Sequence, residues 1–210
     1  MTEIVIIGGG GHAKVVVSIL RKLKDYEICG YTDLEDRGPL LGAPYLGTDA
    51  KLPALANEKK GLSAALAVGQ IGLGAVRQAI HARLSELPLS YPSIVSPHAI
   101  VNEEVEIGEG CVVMDGAMVN SGARIGRGAI LNSNCTVEHD TQIGDWVHVA
   151  PGVTISGGVT VGPLSMIGVG AVIIEGKRIA NGCIVGAGAV VVHHLTEPGV
   201  YVGCPARRIR

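Results

Sequence analysis

The side chains best suited to chemistry lie in one polar stretch, where Glu138-His139-Asp140 is followed by His148. An imidazole beside a carboxylate suits general-base catalysis, because the negative charge raises the basicity of the ring and fixes its tautomer. We therefore take His139 and Asp140 as the candidate catalytic pair. The alternative is that both histidines are solvated surface residues without a function, and for Glu138 this alternative is the better interpretation.

A glycine-rich turn near the amino terminus is a second candidate site. The β-branched residues 3–7 lead into Gly8-Gly9-Gly10-Gly11-His12-Ala13, which fits the pattern G-x-G-x-x-G/A of nucleotide-binding turns. Asp33 follows Ala13 by twenty residues, as this pattern requires. Glycines let a phosphate approach the N–H groups at a helix N-terminus. The turn therefore predicts a phosphate site, and a tight turn without a ligand is the alternative.

The elements around this turn predict an α/β domain. Residues 27–32 and 62–68 read as a second and a third strand, and residues 75–87 as a helix. With the helix after the glycine turn, the order is βαβαβα, and we expect a Rossmann-like nucleotide-binding domain over residues 1–90. This length fits one mononucleotide-binding half better than a complete NAD fold, which argues against a nicotinamide dehydrogenase.

A six-residue repeat follows the α/β domain. From Val95 to Val191 every sixth residue is aliphatic, seventeen times in succession, and a small or β-branched residue follows four positions later except at Lys177 and Leu195. A period of six with two inward positions predicts a solenoid of parallel β-strands, since a helix repeats at 3.6 residues. We expect this parallel β-helix over residues 91–192 and a tail over 193–210. We also expect a local bulge at Lys177.

The repeat predicts where the two histidines lie. His139 follows the inward Val137 by two residues and lies at a corner, whereas His148 precedes the inward Val149 and points out from a flat face. Half a coil separates the two histidines, which places them more than about 10 Å apart along the surface. They would meet only if His139 of one copy faced His148 of another, and this predicts a site between subunits around a threefold axis.

The composition limits the function classes. The net charge is −2 and no basic block occurs, so we expect no nucleic acid partner. We see no targeting segment and no apolar run of about 18 residues, and we expect a cytoplasmic protein without membrane insertion. The cysteines form no CxxC pair, and three of them occupy small inward positions of the repeat, so core thiols are the better interpretation. The three are Cys111, Cys135 and Cys183.

Taken together, the glycine turn, the hexapeptide run, the stretch from Val137 to Val149 and the tail from Gly199 to Ala206 resemble one group of enzymes. These are the bacterial sugar acetyltransferases related to sialic acid O-acetyltransferase and UDP-4-amino-sugar N-acetyltransferase. The resemblance covers essentially the whole chain. It implies a left-handed β-helix, a homotrimer, acetyl-CoA as donor, no metal, and an N-terminal domain that binds the nucleotide-sugar acceptor. Handedness comes from the resemblance alone, because parallel crossovers are usually right-handed.

The resemblance also implies roles for individual positions. It makes His139 the catalytic base and Asp140, where relatives often have Glu, its supporting acid. It implies contacts to acetyl-CoA from His148, Gly157, Val169 and Ala187. It implies contacts to the acceptor from Gly10, Gly11, His12, Asp33 and Gly69.

The expected function is N-acetylation of a nucleotide-linked 4-amino sugar for surface glycan biosynthesis, by direct transfer in a ternary complex. Alternatives are O-acetylation of sialic acid or another sugar, a zinc lyase of the γ-carbonic anhydrase type, and a non-catalytic nucleotide-binding trimeric scaffold. The zinc lyase is disfavoured, because no two histidines lie eighteen residues apart, the spacing that stacks side chains on adjacent coils. The sugar and the nucleotide base stay open.

Overall fold

The chain begins with a small parallel sheet flanked by helices. The computed structural model describes residues 1–210. The elements of the α/β domain are β1 (Thr2–Ile7), α1 (Gly11–Leu23), β2 (Tyr26–Thr32), a 3-10 helix (Asp49–Lys51), α2 (Leu52–Glu58), β3 (Ser63–Leu66) and α3 (Ala75–Leu84). The strands are parallel, in the order β2-β1-β3. This confirms the predicted βαβαβα order, and α3 ends three residues before the predicted helix does.

The second part of the chain is a β-solenoid of short strands. They are β4 (Ile94–Val95), β5 (Ile100–Val101), β6 (Glu106–Ile107), β7 (Val112–Val113), β8 (Met118–Val119), β9 (Arg124–Ile125), β10 (Ile130–Leu131), β11 (Thr136–Val137), β12 (Gln142–Ile143), β13 (His148–Val149), β14 (Thr154–Ile155), β15 (Thr160–Val161), β16 (Met166–Ile167), β17 (Val172–Ile173), β18 (Arg178–Ile179), β19 (Cys183–Val185), β20 (Val190–Val191), β21 (Gly199–Val202) and β22 (Arg207–Arg208). About six turns form a left-handed parallel β-helix, as expected.

The strands form three faces. The domain face consists of β4, β7, β10, β13, β16, β19 and β21, with β22 antiparallel at its end. The second face consists of β5, β8, β11, β14, β17 and β20, and the third face of β6, β9, β12, β15 and β18. Each strand pairs with the strand one coil away, as Ile130 does with His148, so residues eighteen apart stack. The position of a side chain therefore follows from its place in the repeat.

The solenoid interior contains the residues that the repeat assigns to it. The aliphatic inward residues from Val113 to Val191 are at most 3% exposed, and the thiols of Cys111, Cys135 and Cys183 are fully buried. Cys29 is half-buried, however, and Cys204 is exposed, so core burial does not extend to these two thiols. Leu195, which also departs from the small-residue rule, is 5% exposed and bridges Ile179 at the end of the third face. A large side chain fits there because no further coil lies beyond it.

The expected bulge at Lys177 is wrong. Thr160 pairs with Arg178 and Val161 with Ile179, which is the undisturbed register of every other coil. The Lys177 carbonyl accepts a hydrogen bond from the Thr160 N–H at 2.9 Å. The backbone ladder between coils therefore continues through this position, and the long side chain is only half-buried.

The α/β domain covers the domain face of the solenoid. Helix α1 buries Ala13, Val16, Val17, Ile19 and Leu20, which recur at helical spacing on one side. The same apolar cluster includes Ile94, Val112 and Ile130 of the solenoid. Trp146, only 4% exposed, packs on His81 at a ring-centroid distance of 5.2 Å. None of the helices has both the length and the apolar character needed to cross a membrane.

Candidate active site

The glycine turn after β1 has the geometry of a phosphate-binding turn. Gly8 has φ of +105°, and a Cβ at Gly9 would lie 2.5 Å from the Tyr31 ring, so both positions require glycine. Gly10 and Gly11 face open space instead. Helix α1 begins at Gly11 without a side-chain cap. Its first N–H groups are therefore free to receive an anion.

A cavity of about 790 Å³ opens at the carboxyl ends of the three strands. Its walls come from the glycine turn, the ends of β2 and β3, the 3-10 helix and α3. All five positions predicted to contact the acceptor line it: Gly10, Gly11, His12, Asp33 and Gly69. Its volume lies within the range of about 300–1,000 Å³ that is usual for small-molecule sites. The fold thus brings together residues from three separate strand ends.

Asp33 braces the glycine turn. Its Oδ2 accepts a hydrogen bond from the Gly9 N–H at 2.6 Å, and its Oδ1 accepts one from the Leu34 N–H at 2.6 Å. Arg37 Nε lies 3.3 Å from Oδ2. Partial burial opposes ionisation, but these N–H donors and the Arg37 guanidinium hold the pKa of Asp33 below its ordinary value. The carboxylate is therefore ionised at neutral pH while it fixes the turn.

His12 and Arg77 place polar groups in the junction between the two parts of the chain. Burial, with the nearby Arg77 and His148, lowers the pKa of His12 to about 3, and its buried Nε2 has no hydrogen-bond partner. Arg77 is 1% exposed and donates to the carbonyls of Leu66 at 3.1 Å and Gly128 at 3.3 Å. The Nε2 of His12 is therefore an unpaired polar atom buried in the junction between the two parts of the chain.

His139 lies at the corner between the second and third faces, with its side chain 60% exposed. Its Nδ1 lies 2.8 Å from Asp140 Oδ2. The Asp140 hydrogen bond, with the charges of Asp140, Glu138 and Glu175, raises the pKa of His139 above its ordinary value. When Nδ1–H donates to Asp140, the ring presents Nε2 as a base.

Gly157 provides the space in which the His139 ring lies. It is eighteen residues after His139 and therefore stacks one coil away. A Cβ at this position would lie 2.6 Å from His139 Nε2. The Gly157 N–H makes no hydrogen bond within the backbone network, whereas its carbonyl accepts one from Gly176 at 3.0 Å. A free N–H thus lies beside the candidate base.

Glu138 is held in place rather than freely solvated. Its Oε2 accepts a hydrogen bond from Asn120 Nδ2 at 2.8 Å, and Asn120 Oδ1 accepts one from Asn102 Nδ2 at 2.6 Å. This ladder, which our sequence analysis missed, follows the eighteen-residue spacing along one column of the solenoid. The spacing rule that located the inward residues would have identified it.

His148 has the opposite environment. Its register on the domain face agrees with the sequence, but the α/β domain covers that face, and His148 is 7% exposed. Nδ1–H donates to the Gln70 carbonyl at 2.8 Å, and Nε2 lies 3.0 Å from Asn132 Nδ2. Burial lowers the pKa of His148, partly opposed by the Gln70 carbonyl. Neither Gln70 nor Asn132 was found from the sequence, because only the folded chain brings them to His148.

Within the chain His139 and His148 stay apart, on different faces. Val169 and Ala187, both exposed, lie at the corner between the domain face and the second face. Beside them, Gly152, Gly170 and Gly188 stack at eighteen-residue spacing, and a Cβ at any of the three would meet open space. We call this column of glycines, with Val169 and Ala187, the glycine corner. The second face separates it from His139. No cluster of three or more His, Cys, Asp or Glu side chains is arranged to hold a metal ion.

Known proteins share both halves of this architecture. The sequence matches two family models, the PglD N-terminal domain over residues 3–84 and the bacterial transferase hexapeptide (six repeats) over residues 104–139 and 122–157. The perosamine N-acetyltransferase of Caulobacter crescentus, solved as a histidine-to-asparagine mutant with CoA and GDP-perosamine, is 35% identical with a TM-score of 0.93. That similarity covers 100% of this chain and 98% of the relative. The chain belongs to the hexapeptide-repeat sugar acetyltransferases.

Two further structures resemble this acetyltransferase over its whole length. The acetyltransferase domain of PglB from Neisseria gonorrhoeae FA1090 is 32% identical with a TM-score of 0.90, and WeeI from Acinetobacter baumannii AYE is 27% identical with a TM-score of 0.87. Both similarities cover 100% of each chain. The PglB domain has also been solved in complex with acetyl coenzyme A. No curated protein matches the acetyltransferase by sequence.

Proposed function

We propose that this enzyme transfers the acetyl group of acetyl-CoA to the amino group of a nucleotide-linked amino sugar. The observation that carries the proposal is the His139 arrangement, in which Asp140 engages Nδ1 at 2.8 Å and Gly157 leaves Nε2 open. An ammonium group cannot attack a thioester until it loses a proton. A histidine whose pKa is raised by a neighbouring carboxylate is a stronger base and is suited to accept that proton.

The reaction then proceeds as direct transfer. His139 Nε2 takes one proton from the sugar ammonium group, and the resulting amine attacks the thioester carbonyl and forms the C–N bond. As the C–S bond breaks, the sulfur takes a second proton released from the nitrogen, and coenzyme A leaves as the thiol. Negative charge develops on the acetyl oxygen, and the free Gly157 N–H is positioned beside the base to stabilise it. No acyl-enzyme is required, since Cys111, Cys135 and Cys183 are buried inside the solenoid.

His148 has a narrower role than the resemblance implies. With Nδ1–H donated to Gln70 and Asn132 Nδ2 facing Nε2, the neutral ring has no free N–H for the acetyl oxygen. A second N–H of Asn132 remains available, because a primary amide has two N–H donors. We therefore assign His148 to positioning Asn132 in the donor site, and we keep Gly157, Val169 and Ala187 as the other donor contacts.

The glycine corner suits the pantetheine arm of acetyl-CoA. Each of its coils contributes a glycine that faces open space, and Val169 offers an exposed aliphatic side chain. The corner therefore forms a smooth surface along which a narrow, flexible chain can lie. At the other end of the molecule, the cavity with Gly10, Gly11, His12, Asp33 and Gly69 has the volume and the free helix N–H groups that a nucleotide-sugar diphosphate needs.

A trimer completes the site. His139 and the glycine corner lie at opposite edges of the second face, about six residues or roughly 20 Å apart along the chain. A threefold arrangement would let His139 of one subunit face the glycine corner of the next. Mixing His139→Ala with Ala187→Trp, each inactive alone, is expected to restore activity, because some subunit junctions combine two intact halves. Absence of restored activity in mixed oligomers would place both halves of the site in one chain.

The proposed function is tested by thiol release from acetyl-CoA with GDP-, UDP- and dTDP-linked 4-amino sugars and with free sialic acid. We expect turnover with a nucleotide-linked amino sugar, and a fall of at least about a hundredfold in His139→Ala. Turnover with sialic acid alone would make the enzyme an O-acetyltransferase. No dependence on acetyl-CoA with any acceptor would reject the transferase and leave the nucleotide-binding scaffold.

A further inference from the structure

An ion pair forms part of the wall of the nucleotide cavity. Arg83 of α3 donates a hydrogen bond from Nη2 to Asp49 Oδ2 at 2.5 Å. The Thr32 hydroxyl donates to Asp49 Oδ1 at 2.7 Å. Thr32 is fully buried, so the carboxylate is fixed from behind. Asp49 and Arg83 both line the cavity, and the catalytic mechanism uses neither. The pair therefore calls for a different explanation.

Aliphatic side chains lead from the middle of the cavity to this pair. Val76, Ile80 and Arg83 line the cavity from one side of α3 and span about 10 Å at 1.5 Å per residue. Val76 is 65% exposed, so its aliphatic surface is available to a ligand in the cavity. An aliphatic wall that ends in a fixed charge pair is suited to a flat aromatic ring with a polar edge.

The hydrogen-bonding capacity of the pair is only partly used. Each carboxylate oxygen accepts two hydrogen bonds, so Asp49 retains one acceptor position on each oxygen after Thr32 and Arg83 are counted. Arg83 uses one of its five N–H donors on Asp49. Toward a ligand the pair thus presents two adjacent acceptors and, next to them, a donor.

We propose that Asp49 and Arg83 select guanine as the base of the acceptor nucleotide. The Watson–Crick edge of guanine presents an acceptor at O6 and donors at N1–H and N2–H2, which is the complement of the Arg83 donor and the two Asp49 acceptors. This inference rests on the proposed function, since it names the base of the nucleotide-linked sugar. It assigns to the 3-10 helix and α3 a specificity role that is separate from acetyl transfer.

The other bases fit this pair less well. Uracil and thymine place a single N–H between two carbonyl oxygens, so one Asp49 oxygen would face a carbonyl oxygen. Cytosine and adenine each offer one amino group beside a ring nitrogen that accepts, which leaves the second Asp49 oxygen facing another acceptor. A charged acceptor left without a donor weakens binding much more than a lost neutral contact does.

The inference is tested by calorimetric titration of the full-length protein with GDP, IDP and UDP. IDP lacks only the 2-amino group that guanine would donate to Asp49. We expect GDP to bind at least about tenfold more tightly than UDP and several-fold more tightly than IDP. In Asp49→Asn the GDP affinity should fall by about tenfold, and the ratio of GDP to IDP affinity should approach one.

The matched control is Asp25→Asn, which replaces an exposed carboxylate outside the cavity and should leave all three affinities unchanged. Thermal unfolding of Asp49→Asn, compared with the wild type, separates lost recognition from lost folding. Equal affinities for GDP and UDP, or an unchanged ratio of GDP to IDP affinity in Asp49→Asn, would overturn the inference. If UDP binds best and acetyl transfer still occurs, only the base selection fails. If no nucleotide binds, the acceptor half of the proposed function fails with it.

Discussion

His139 and His148 belong to the same solenoid, nine residues apart, and the structure gives them opposite properties. His139 stands exposed at a corner beside Asp140, which raises its pKa, whereas burial under the α/β domain lowers the pKa of His148. The first ring has an open Nε2, and both nitrogens of the second are engaged by Gln70 and Asn132. The same residue type is thus an exposed ring with an open nitrogen at one position and a buried ring with both nitrogens hydrogen-bonded at the other. The environments differ because the α/β domain covers His148 and leaves His139 exposed.

The contrast between the two histidines is tested by replacing each of them with alanine. His148→Ala leaves the Gln70 carbonyl and Asn132 without their partner, and we expect the free energy of unfolding to fall by about 2 kcal/mol. His139→Ala should change the free energy of unfolding by less than about 0.5 kcal/mol, because the side chain is exposed. Urea unfolding followed by Trp146 fluorescence measures both. Equal losses in the two variants would show that His139 is also a packing residue.

A fall in pH should destabilise the fold through His12 and His148, whose pKa values burial lowers. The folded pKa values of His12, at about 3, and of His148 lie below the unfolded value near 6.5, so the unfolded chain takes up more protons as the pH falls. Stability should therefore fall below about pH 6.5, by up to about 1.4 kcal/mol per pH unit for each histidine. His139 acts in the opposite sense, but it is exposed and contributes little. Unfolding free energies between about pH 7.5 and 5.5 test this, and His12→Gln should flatten the slope. A slope that His12→Gln leaves unchanged would contradict the buried neutral ring.

The pKa of His139 should depend on its partner Asp140. Asp140→Asn removes the charge that raises the pKa of His139, so the acid limb of the profile of kcat/KM against pH should move to lower pH. The plateau rate should fall by about tenfold, because the less basic ring accepts a proton less readily. Asp36→Asn, at an exposed position in the α/β domain, is the control. An acid limb that stays in place would show that another group titrates.

The smallest predicted effect on rate concerns Gly157, which leaves space for the His139 ring. In Gly157→Ala the new Cβ would lie 2.6 Å from Nε2, and the exposed ring must turn away. We expect a loss of about five- to tenfold in kcat with little change in stability. In a His139→Ala background, the same substitution should have no further effect on rate. An equal loss in that background would mean that the added methyl group disturbs the site by another route than the His139 ring.

The solenoid was the most predictable part because its rule is local and repeated. The period of six located the buried residues, the corners and the outward register of His148 before any coordinates. It also contained the Asn102, Asn120 and Glu138 column, which we did not recognise because we looked for ionisable neighbours rather than amides at the same spacing. The expected bulge at Lys177 was wrong because backbone hydrogen bonds, and not the inward side chain, set the register there.

The α/β domain was predictable in its elements and less so in its contacts. The family resemblance implied acceptor contacts from Gly10, Gly11, His12, Asp33 and Gly69, which lie at the glycine turn and the strand ends, and all five line one cavity. Asp49 and Arg83 gave no signal, because they lie 34 residues apart and neither belongs to a motif. The same holds for Arg77, whose partners are main-chain carbonyls that any residue type supplies.

The sequence by itself determined the repeat, the glycine turn and the pairing of His139 with Asp140, because each depends on residues that are close along the chain or regularly spaced. Only the tertiary structure decided which face of the solenoid the α/β domain covers. It therefore also decided that His148 is neutral and engaged, and that Asp49 meets Arg83 in the cavity wall. These properties depend on distant segments that pack together, and packing between distant segments has no fixed spacing in the sequence.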